Sequence, residues 1–291
     1  MTDVAQVDDL HVASVGAPDA HLNVLVFMGL RACVDAFELR RLEVLAEEWD
    51  ARVTVVDTPG YGRGAPRLSR SGRTGLLRGD FTEVARRMVN AAAEFEPALR
   101  RLPATIVGYS LGTSIAAAAA ADPGLVRVRH MVAVEPVAMR VCNPVRLLSM
   151  ARSEDAYVAD YRMRNPDSEN CHQSDGSAAR TDLALLGYAL SRGGLTRDLL
   201  RSRPVQRFGL QIVHGADSLL SPKSKVAQLV SSCRRAGFDV RDVTVEGRHA
   251  LWQSYSDVAS IARRTGDLVR GQSQNEDDNH QRWRARPELA N

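Results

Sequence analysis

The stretch that decides the fold is ATIVGYSLGTSIAAAAAA, residues 104–121. It begins with an apolar run typical of a buried strand, passes through the pattern Gly-x-Ser-x-Gly and continues as an alanine-rich segment that favours a helix. Ser110 stands between the two glycines, Gly108 and Gly112. In a tight strand-to-helix turn a serine projects its hydroxyl from the edge of the sheet, and glycines leave room for the neighbouring backbone. This context makes Ser110 a candidate nucleophile rather than an ordinary helix cap.

Strands and helices alternate on both sides of this stretch. Alternation of this kind predicts an α/β fold, in which a mostly parallel sheet is flanked by helices. Besides 104–107, apolar runs predict strands at residues 22–28, 52–56, 130–134, 209–213 and 240–245. Besides 113–121, helical spacing predicts helices at residues 36–49, 81–95, 222–236 and 250–269.

One segment interrupts the alternation. More than seventy residues separate the strand that ends near Glu135 from the strand that begins at Gly209. This is too long for an ordinary connection, and it contains predicted helices at 147–162 and 181–201, so we expect an inserted helical cap at about 137–207. Residues 1–270 are expected to form one domain. Residues 271–291 are polar and lack periodicity, so they are expected to be a disordered tail.

The composition excludes several classes of protein. With 44% hydrophobic and 25% charged residues in 291, the chain reads as a globular protein. The net charge is only +3 and no basic stripe is present, so no nucleic-acid partner is expected. No apolar run approaches the ~20 residues of a membrane helix, and the N-terminus lacks the features of a signal peptide. We therefore expect a cytoplasmic protein without a membrane partner, and the sequence leaves its oligomeric state open.

A serine hydroxyl becomes a nucleophile when a base removes its proton, and a carboxylate normally holds that base. His249 follows the last predicted strand and opens the final helix, which makes it the candidate base. Asp217 follows the strand at 209–213, in HGADSLLSP (214–222), and is the favoured acid. An aspartate there also suits a turn or a helix cap. Glu135, at the end of the preceding strand, remains the alternative acid.

With these residues in place, the chain resembles the α/β-hydrolase superfamily over roughly residues 20–265. The stretch DTPGYGRG (57–64) is similar to the family signature D-x-P-G-x-G-x-S, with glycine in place of the final serine. His214-Gly215-x-Asp217 followed by Pro222 resembles the acid loop of the family. The resemblance implies the α/β-hydrolase fold and the chain order serine, acid, histidine. It also implies an oxyanion hole formed by the backbone N–H groups of Leu30 and Leu111.

Two residues depart from the family pattern. Met28 stands before Gly29 where the family usually has histidine, and Arg248 stands before His249 where it usually has glycine. These departures motivate an alternative function, that of a hydrolase-fold binding or partner protein without turnover. An ion pair between Arg248 and Asp217 would favour this alternative, because it would occupy the carboxylate that the histidine needs.

The expected activity is that of a serine hydrolase whose triad is Ser110, Asp217 and His249. Its substrate is expected to be a small or medium, largely apolar ester, thioester or lactone, hydrolysed through an acyl-enzyme. Hydrolysis of a carbon–carbon bond next to a carbonyl remains open with the same triad. No metal or organic cofactor is expected, and the only expected partner is the small-molecule substrate. Beside the cap, the substrate pocket is expected to be lined by Gly29, Phe37, Tyr61 and Tyr109.

Overall fold

The computed structural model describes residues 2–164, 176–177, 179–267 and 269. The expected tail at 271–291 lies outside these residues, as does most of the polar stretch at 165–177. The strands are β1 Thr2–Val7, β2 Leu10–Val15, β3 Leu22–Phe27, β4 Ala51–Val56, β5 Ala104–Tyr109, β6 Val128–Val134, β7 Gly209–Gly215 and β8 Val240–Val245. The helices are α1 Ala36–Trp49, α2 Arg70–Leu77, α3 Thr82–Phe95, α4 Ala98–Arg101, α5 Leu111–Ala120, α6 Pro144–Arg164, α7 Arg180–Leu190, α8 Gly194–Ser202 and α9 Lys223–Arg235. Residues 255–267 form a further helical segment.

The described strands form one sheet in the order β1-β2-β4-β3-β5-β6-β7-β8. From β4 to β8 every neighbouring pair is parallel. The central strands β3, β4 and β5 are buried along their whole length, which explains why their sequences read as continuous apolar runs. The predicted α/β-hydrolase fold, with a mostly parallel sheet between helices, is confirmed.

The sheet begins with a hairpin that the sequence analysis missed. Strand β1 pairs antiparallel with β2, and β2 pairs antiparallel with β4. Strand β1 alternates between exposed and half-buried residues, so it carries no apolar run. The Arg52 guanidinium of β4 holds this end of the chain, since it contacts Asp3 at 2.6 Å, Glu96 at 3.2 Å and the Gly16 carbonyl oxygen at 3.0 Å. The fold thus starts well before residue 20.

Helices cover both faces of the sheet. Helix α1 and the segment 255–267 pack on one face, around Leu42, Leu45 and Ile261. Helices α3, α5, α8 and α9 pack on the other face. All ten residues of α5 are buried, and its alanines allow close approach to β5 and α8. Alanine is thus favoured in α5 by packing as well as by helix propensity.

In the described part of the long insertion between β6 and β7, three helices are held in different ways. Helix α8 packs against α5 through the fully buried side chains of Leu195 and Leu199. Helix α6 buries only Leu147 and Glu154. The single helix predicted at 181–201 is wrong, because Gly193 adopts a positive φ of 69° and separates α7 from α8. A Cβ at this position would lie 2.3 Å from the Arg140 carbonyl carbon.

The ends or the presence of helices differ from the sequence prediction at two further places. The sequence analysis predicts no helix between residues 58 and 79, but this segment contains α2, whose glycines Gly72 and Gly75 weaken the helical pattern. Its start is fixed by Ser69, whose hydroxyl accepts a hydrogen bond from the Gly72 N–H at 3.0 Å. The last helix begins at residue 255 rather than 250, because residues 250–254 form turns and bends. Within the described residues, no helix is both long and apolar enough to cross a membrane.

Candidate active site

Ser110 lies in a sharp turn between β5 and α5. Its φ of 53° and ψ of −115° are unusual for a residue with a side chain. A Cβ on Gly112 would lie 1.8 Å from the Phe27 carbonyl oxygen, and a Cβ on Gly108 would lie 2.6 Å from the Gly112 carbonyl oxygen. Both glycines are therefore required by close backbone contacts with β3 and within the turn. The Ser110 N–H donates to the Val134 carbonyl oxygen at 2.9 Å, which fixes the turn against β6.

His249 meets the serine as the sequence predicts. Its Nε2 lies 3.0 Å from the Ser110 Oγ, and its Nδ1 lies 2.7 Å from Oε2 of Glu135. Because a carboxylate only accepts hydrogen bonds, Nδ1 carries the proton, which leaves Nε2 free to accept the serine hydroxyl. This is the arrangement in which a histidine can act as a general base towards serine.

The acid in contact with His249 is Glu135 and not Asp217. The assignment of Asp217 as the acid therefore disagrees with the structure, and the alternative assignment matches it. Asp217 is exposed, and its backbone N–H donates to the Gly247 carbonyl oxygen at 3.0 Å. This contact places Asp217 in the surface part of the turn after β7. Glu135 is fully buried at the end of β6, the strand next to the one that carries Ser110.

Groups from the end of β7 surround the Glu135 carboxylate. The Ser218 hydroxyl donates to Oε2 at 2.6 Å, and the Gly215 N–H donates to Oε1. The Ser221 hydroxyl donates to the Pro136 carbonyl oxygen at 2.7 Å, so the loops after β6 and β7 are also joined directly. A buried carboxylate is costly unless its oxygens are satisfied, and these donors together with His249 satisfy both of them. The loop after β7 thus holds Glu135 and does not itself contribute a carboxylate to His249.

Tyr109, expected to line the pocket, lies under the histidine loop. Its ring stacks at 5.5 Å from the His249 ring and at 5.7 Å from the Trp252 ring, between centroids. Burial raises the pKa of its phenol, so the hydroxyl stays protonated and donates to the His249 carbonyl oxygen at 2.7 Å. Tyr109 therefore holds the backbone of His249 in place.

The loop after β3 lies close to the nucleophile. A Cβ on Gly29 would lie 2.9 Å from the Tyr109 ring and 3.6 Å from the Ser110 Cβ, so this position requires a small residue. Leu30 follows in the same loop, while Leu111 is the first residue of α5, where N–H groups lack partners within the helix. The two amides expected to form an oxyanion hole thus lie on segments that adjoin Ser110.

The DTPGYGRG stretch (57–64) holds the loop after β3 in place through the Asp57 side chain. Asp57 is buried and accepts hydrogen bonds from the Val34 N–H at 2.7 Å and the Arg63 N–H at 2.8 Å. Burial raises the pKa of its carboxyl, while these N–H contacts oppose that effect. A Cβ on Gly62 would lie 2.4 Å from the Asp57 Oδ2, which explains the glycine. Asp57 is a supporting residue that ties two loops together.

The two remaining pocket candidates have contacts of their own. Tyr61 is buried, and its N–H donates to the Thr58 carbonyl oxygen at 2.8 Å, which closes the turn after β4. Phe37 lies at the start of α1, where the Arg41 guanidinium stacks 3.6 Å above its ring and the Tyr255 ring lies 6.0 Å away. Their lining of a substrate pocket stays a prediction.

Arg248, the unusual neighbour of the histidine, pairs with an acid other than Asp217. Its Nε lies 3.3 Å from Oε2 of Glu154 in α6, and its guanidinium lies 5.0 Å from the Tyr157 ring. The ion pair with Asp217 that would have favoured a non-catalytic protein is thus replaced by an ion pair with the insertion. Among the residues that the structure describes, no group of three or more His, Cys, Asp or Glu side chains is arranged to hold a metal ion.

Sequence reasoning missed Ser218 and Glu154 as parts of the site. Ser218 stands directly after Asp217, so the same motif contained it, but its local pattern gives no sign that its hydroxyl faces an acid. Glu154 is a charged residue in a helix whose other described side chains are mostly exposed. A buried glutamate in such a helix is visible only once the helix has been placed.

Comparison with known proteins identifies the family and the fold. A model of the alpha/beta hydrolase family matches residues 29–261. A lipase in its open form shares the fold with a TM-score of 0.64 and 16% identity, covering 92% of this chain and 99% of that chain. A thioesterase domain of the curacin biosynthetic pathway has a TM-score of 0.56 and 16% identity, covering 90% of this chain and 98% of that chain. A laboratory-evolved potato epoxide hydrolase has a TM-score of 0.55 and 16% identity, covering 93% of this chain and 100% of that chain.

The search among curated proteins gave no match. At 16% identity the structural neighbours show the fold alone, and their different activities leave the substrate undecided. The family model, in contrast, spans most of the chain and includes Ser110, Glu135 and His249. The chain therefore belongs to the alpha/beta hydrolase family and is a hydrolase.

Proposed function

We propose that this hydrolase cleaves small or medium, largely apolar esters, thioesters or lactones through a triad of Ser110, His249 and Glu135. The observation that carries the proposal is the unbroken chain of contacts from the Ser110 Oγ through the His249 ring to Glu135, at 3.0 and 2.7 Å. All three side chains are at least nine-tenths buried. In such an environment the electrostatic contacts of the triad are stronger than in water.

The reaction proceeds in two halves. The His249 Nε2 takes the proton of Ser110 while the serine oxygen bonds to the substrate carbonyl carbon, and the carbonyl oxygen becomes an oxyanion. The amides of Leu30 and Leu111 donate to that oxyanion. His249 then gives its proton to the leaving alcohol or thiol as the bond to it breaks. A water molecule repeats the sequence on the acyl-enzyme, which releases the acid and returns the proton to Ser110.

Glu135 stays ionised throughout. It orients His249 by accepting from Nδ1, and its negative charge stabilises the positive ring that forms in each half of the reaction. Gly215 and Ser218 keep the carboxylate in place through their hydrogen bonds. The supporting groups thereby preserve the geometry that the proton transfers need.

The segments that follow the two strands next to β5 are apolar, which favours an apolar acyl group. The residues that follow Glu135, namely Val137, Ala138 and Met139, are buried and apolar, and Leu30 packs against the same cluster. Ser110 is only 8% exposed, and helix α6 contacts the histidine loop through Glu154. We propose that α6 belongs to a cap over the site, which moves aside to admit the substrate and docks again before the reaction.

The test uses a fluorophosphonate, which loses fluoride as an activated serine oxygen bonds to its phosphorus. The parent, Ser110→Ala and Ser114→Ala would be treated in parallel and measured by intact mass. Ser114 is the matched control, because it is buried on the same helix one turn away. We expect one adduct in the parent and in Ser114→Ala, and none in Ser110→Ala. No adduct in a folded parent would reject the proposal and favour a binding protein without turnover.

Labelling identifies the nucleophile but not the bond that is cleaved. A panel of aryl esters with acyl chains of increasing length, acyl thioesters and lactones would follow. Hydrolysis of at least one of these classes, abolished in Ser110→Ala, is the expected result. A labelled enzyme that leaves all three classes intact would redirect the search to carbon–carbon bonds next to a carbonyl, which the same triad can hydrolyse.

A further inference from the structure

Glu154 is a buried carboxylate that the proposed reaction does not use. It lies in the middle of α6 and is 1% exposed. Its Oε1 accepts from the Leu219 N–H at 2.6 Å, and its Oε2 lies 3.4 Å from the His249 N–H and 3.3 Å from the Arg248 Nε. All three partners belong to the two loops that carry His249 and the Ser218 support of Glu135. The carboxylate therefore joins α6 to the catalytic loops.

We propose that Glu154 is a positioning residue that holds the His249 loop in its productive place when α6 is docked. This inference rests on the proposed function, since it concerns the same histidine. The contact is to the backbone N–H of His249 itself, so a shift of Glu154 moves the base relative to both Ser110 and Glu135. A displacement of about 1 Å in such a site can cost about a hundredfold in rate.

The energetics favour a role in alignment over simple attachment of the helix. A buried carboxylate is costly to dehydrate, and its partners roughly offset that cost rather than exceed it. If α6 needed only attachment, apolar side chains would serve better, as Leu195 and Leu199 do for α8. Helix α6 instead exposes apolar residues, with Val145 at 75% and Met163 at 79%. At the C-terminal end of α6 the Arg162 Nε donates to the Gln253 Oε1 at 3.0 Å, and the Tyr161 hydroxyl contacts Asp257. Among these polar contacts, the charge at residue 154 is the one that reaches the His249 N–H directly.

Arg248 completes this contact. Besides the ion pair with Glu154, its Nη2 lies 3.4 Å from the Ser153 Oγ, and its guanidinium lies over the Tyr157 ring. All three partners are in α6. The arginine that departs from the family pattern before the histidine therefore serves as the counter-charge of Glu154. The ion pair thereby ties Glu154 to the residue that precedes His249.

The test compares Glu154→Ala with Leu147→Ala, because these two residues are the buried contacts of α6. The readout is the rate of Ser110 labelling by the fluorophosphonate, together with the melting temperature. We expect Glu154→Ala to slow labelling by up to about 100-fold, the effect of a displacement of about 1 Å. Leu147→Ala should lower the melting temperature and leave the labelling rate within about threefold, since a cavity mainly affects stability. Glu154→Gln retains an acceptor for one N–H and should fall between the parent and Glu154→Ala.

Equal slowing in Glu154→Ala and Leu147→Ala would overturn the proposal, because loss of the helix alone would then explain both. An unchanged rate in Glu154→Ala would overturn it as well. Steady-state kinetics provide a second test. With an ester substrate, we expect Glu154→Ala to lower kcat while KM changes little. A purely structural role would instead reduce the fraction of labelled protein without changing the rate of the folded fraction.

A readout that needs no turnover separates this inference from the proposed function. The low-field proton of the His249 Nδ1–H···Glu135 hydrogen bond would be assigned by its loss in His249→Ala. We expect it in the parent and in Leu147→Ala, and broadened or absent in Glu154→Ala. If the parent shows the proton but takes no label, the proposed function fails while loss of the proton in Glu154→Ala still supports positioning. Persistence of the proton in Glu154→Ala, or its absence from the parent, would overturn the positioning role.

Discussion

The neighbouring strands β6 and β7 are each followed by an acidic residue, and the two acids differ in their burial and in their contacts. Glu135 comes directly after β6 and is buried against His249, whereas Asp217 comes two residues after the end of β7 and is exposed. The backbone of Glu135 adopts a positive φ of 52°, which turns its side chain towards the histidine. The difference teaches that the distance of an acid from its strand, and the turn it sits in, decide whether it can reach the base.

The largest effect on kcat is expected for Glu135→Ala, with Asp217→Ala as the comparison. Glu135→Ala should lower kcat for an ester substrate by about 10⁴-fold, because His249 loses the group that holds its tautomer and stabilises its charge. Asp217→Ala should leave kcat within about twofold, since an exposed side chain outside the triad is replaced. The comparison would break if Asp217→Ala showed the larger loss.

A shorter acid at the end of β6 sharpens the comparison. Glu135→Asp keeps the carboxylate but withdraws it by about one methylene, so the contact with the His249 Nδ1 lengthens. We expect a fall in kcat of about 10²-fold, well below the loss in Glu135→Ala. Steady-state kinetics at matched folded concentration would measure it. A full loss would indicate that the glutamate length is required, and no loss would indicate that the loop adjusts.

The support that β7 gives to Glu135 should have a smaller effect. Ser218→Ala removes the hydroxyl that donates to Glu135 and that accepts from the Ser221 N–H. We expect about a tenfold fall in kcat, as for the loss of one hydrogen bond to a charged group. Ser224→Ala, an exposed serine in α9, is the control and should match the parent. Equal values for both variants would contradict the support role of Ser218.

The smallest effect on activity is expected at His214, also on β7. Its ring is fully buried, and its Nε2 lies 3.2 Å from the Thr244 Oγ1 and 3.3 Å from the Asp242 Oδ1. His214→Ala should lower the free energy of unfolding by about 2 kcal/mol, because a cavity and unpaired polar groups remain. Urea unfolding would give that value. Fluorophosphonate labelling per folded molecule should stay within about twofold of the parent, and a larger change would give β7 a direct part in the reaction.

The elements that the sequence predicted best are those whose local pattern and buried position agree. The helix at 36–49 and the strand at 240–245 were predicted with their observed ends. Asp35 explains the helix start, since its side chain accepts from the Glu38 N–H at 2.8 Å. The hairpin of β1 and β2 was not predicted, because one face of β1 is exposed. Helix α2 was not predicted either, because its glycines and serines resemble a loop.

Within the site, the serine and the histidine could be placed from the sequence, because the turn of Ser110 and the position of His249 after the last strand are local features. The choice between the two acids was not local. Both Glu135 and Asp217 follow a strand between the serine and the histidine, and both suit a turn. What separates them is the path of the loop after β7, which presents Ser218 and the Gly215 N–H to Glu135. That path depends on contacts between distant segments.

The long separation of the proposed triad residues along the chain has a consequence for protein synthesis. Ser110 and His249 are 139 residues apart, and Glu135 and His249 are 114 apart. As the chain emerges from the ribosome, the strands that carry the nucleophile and the acid are made long before the base, because domains assemble as their segments emerge. A nascent or prematurely terminated chain would therefore display an inert serine. Reactivity would arise only when translation has delivered the segment after β8, which makes labelling a marker of synthesis beyond His249.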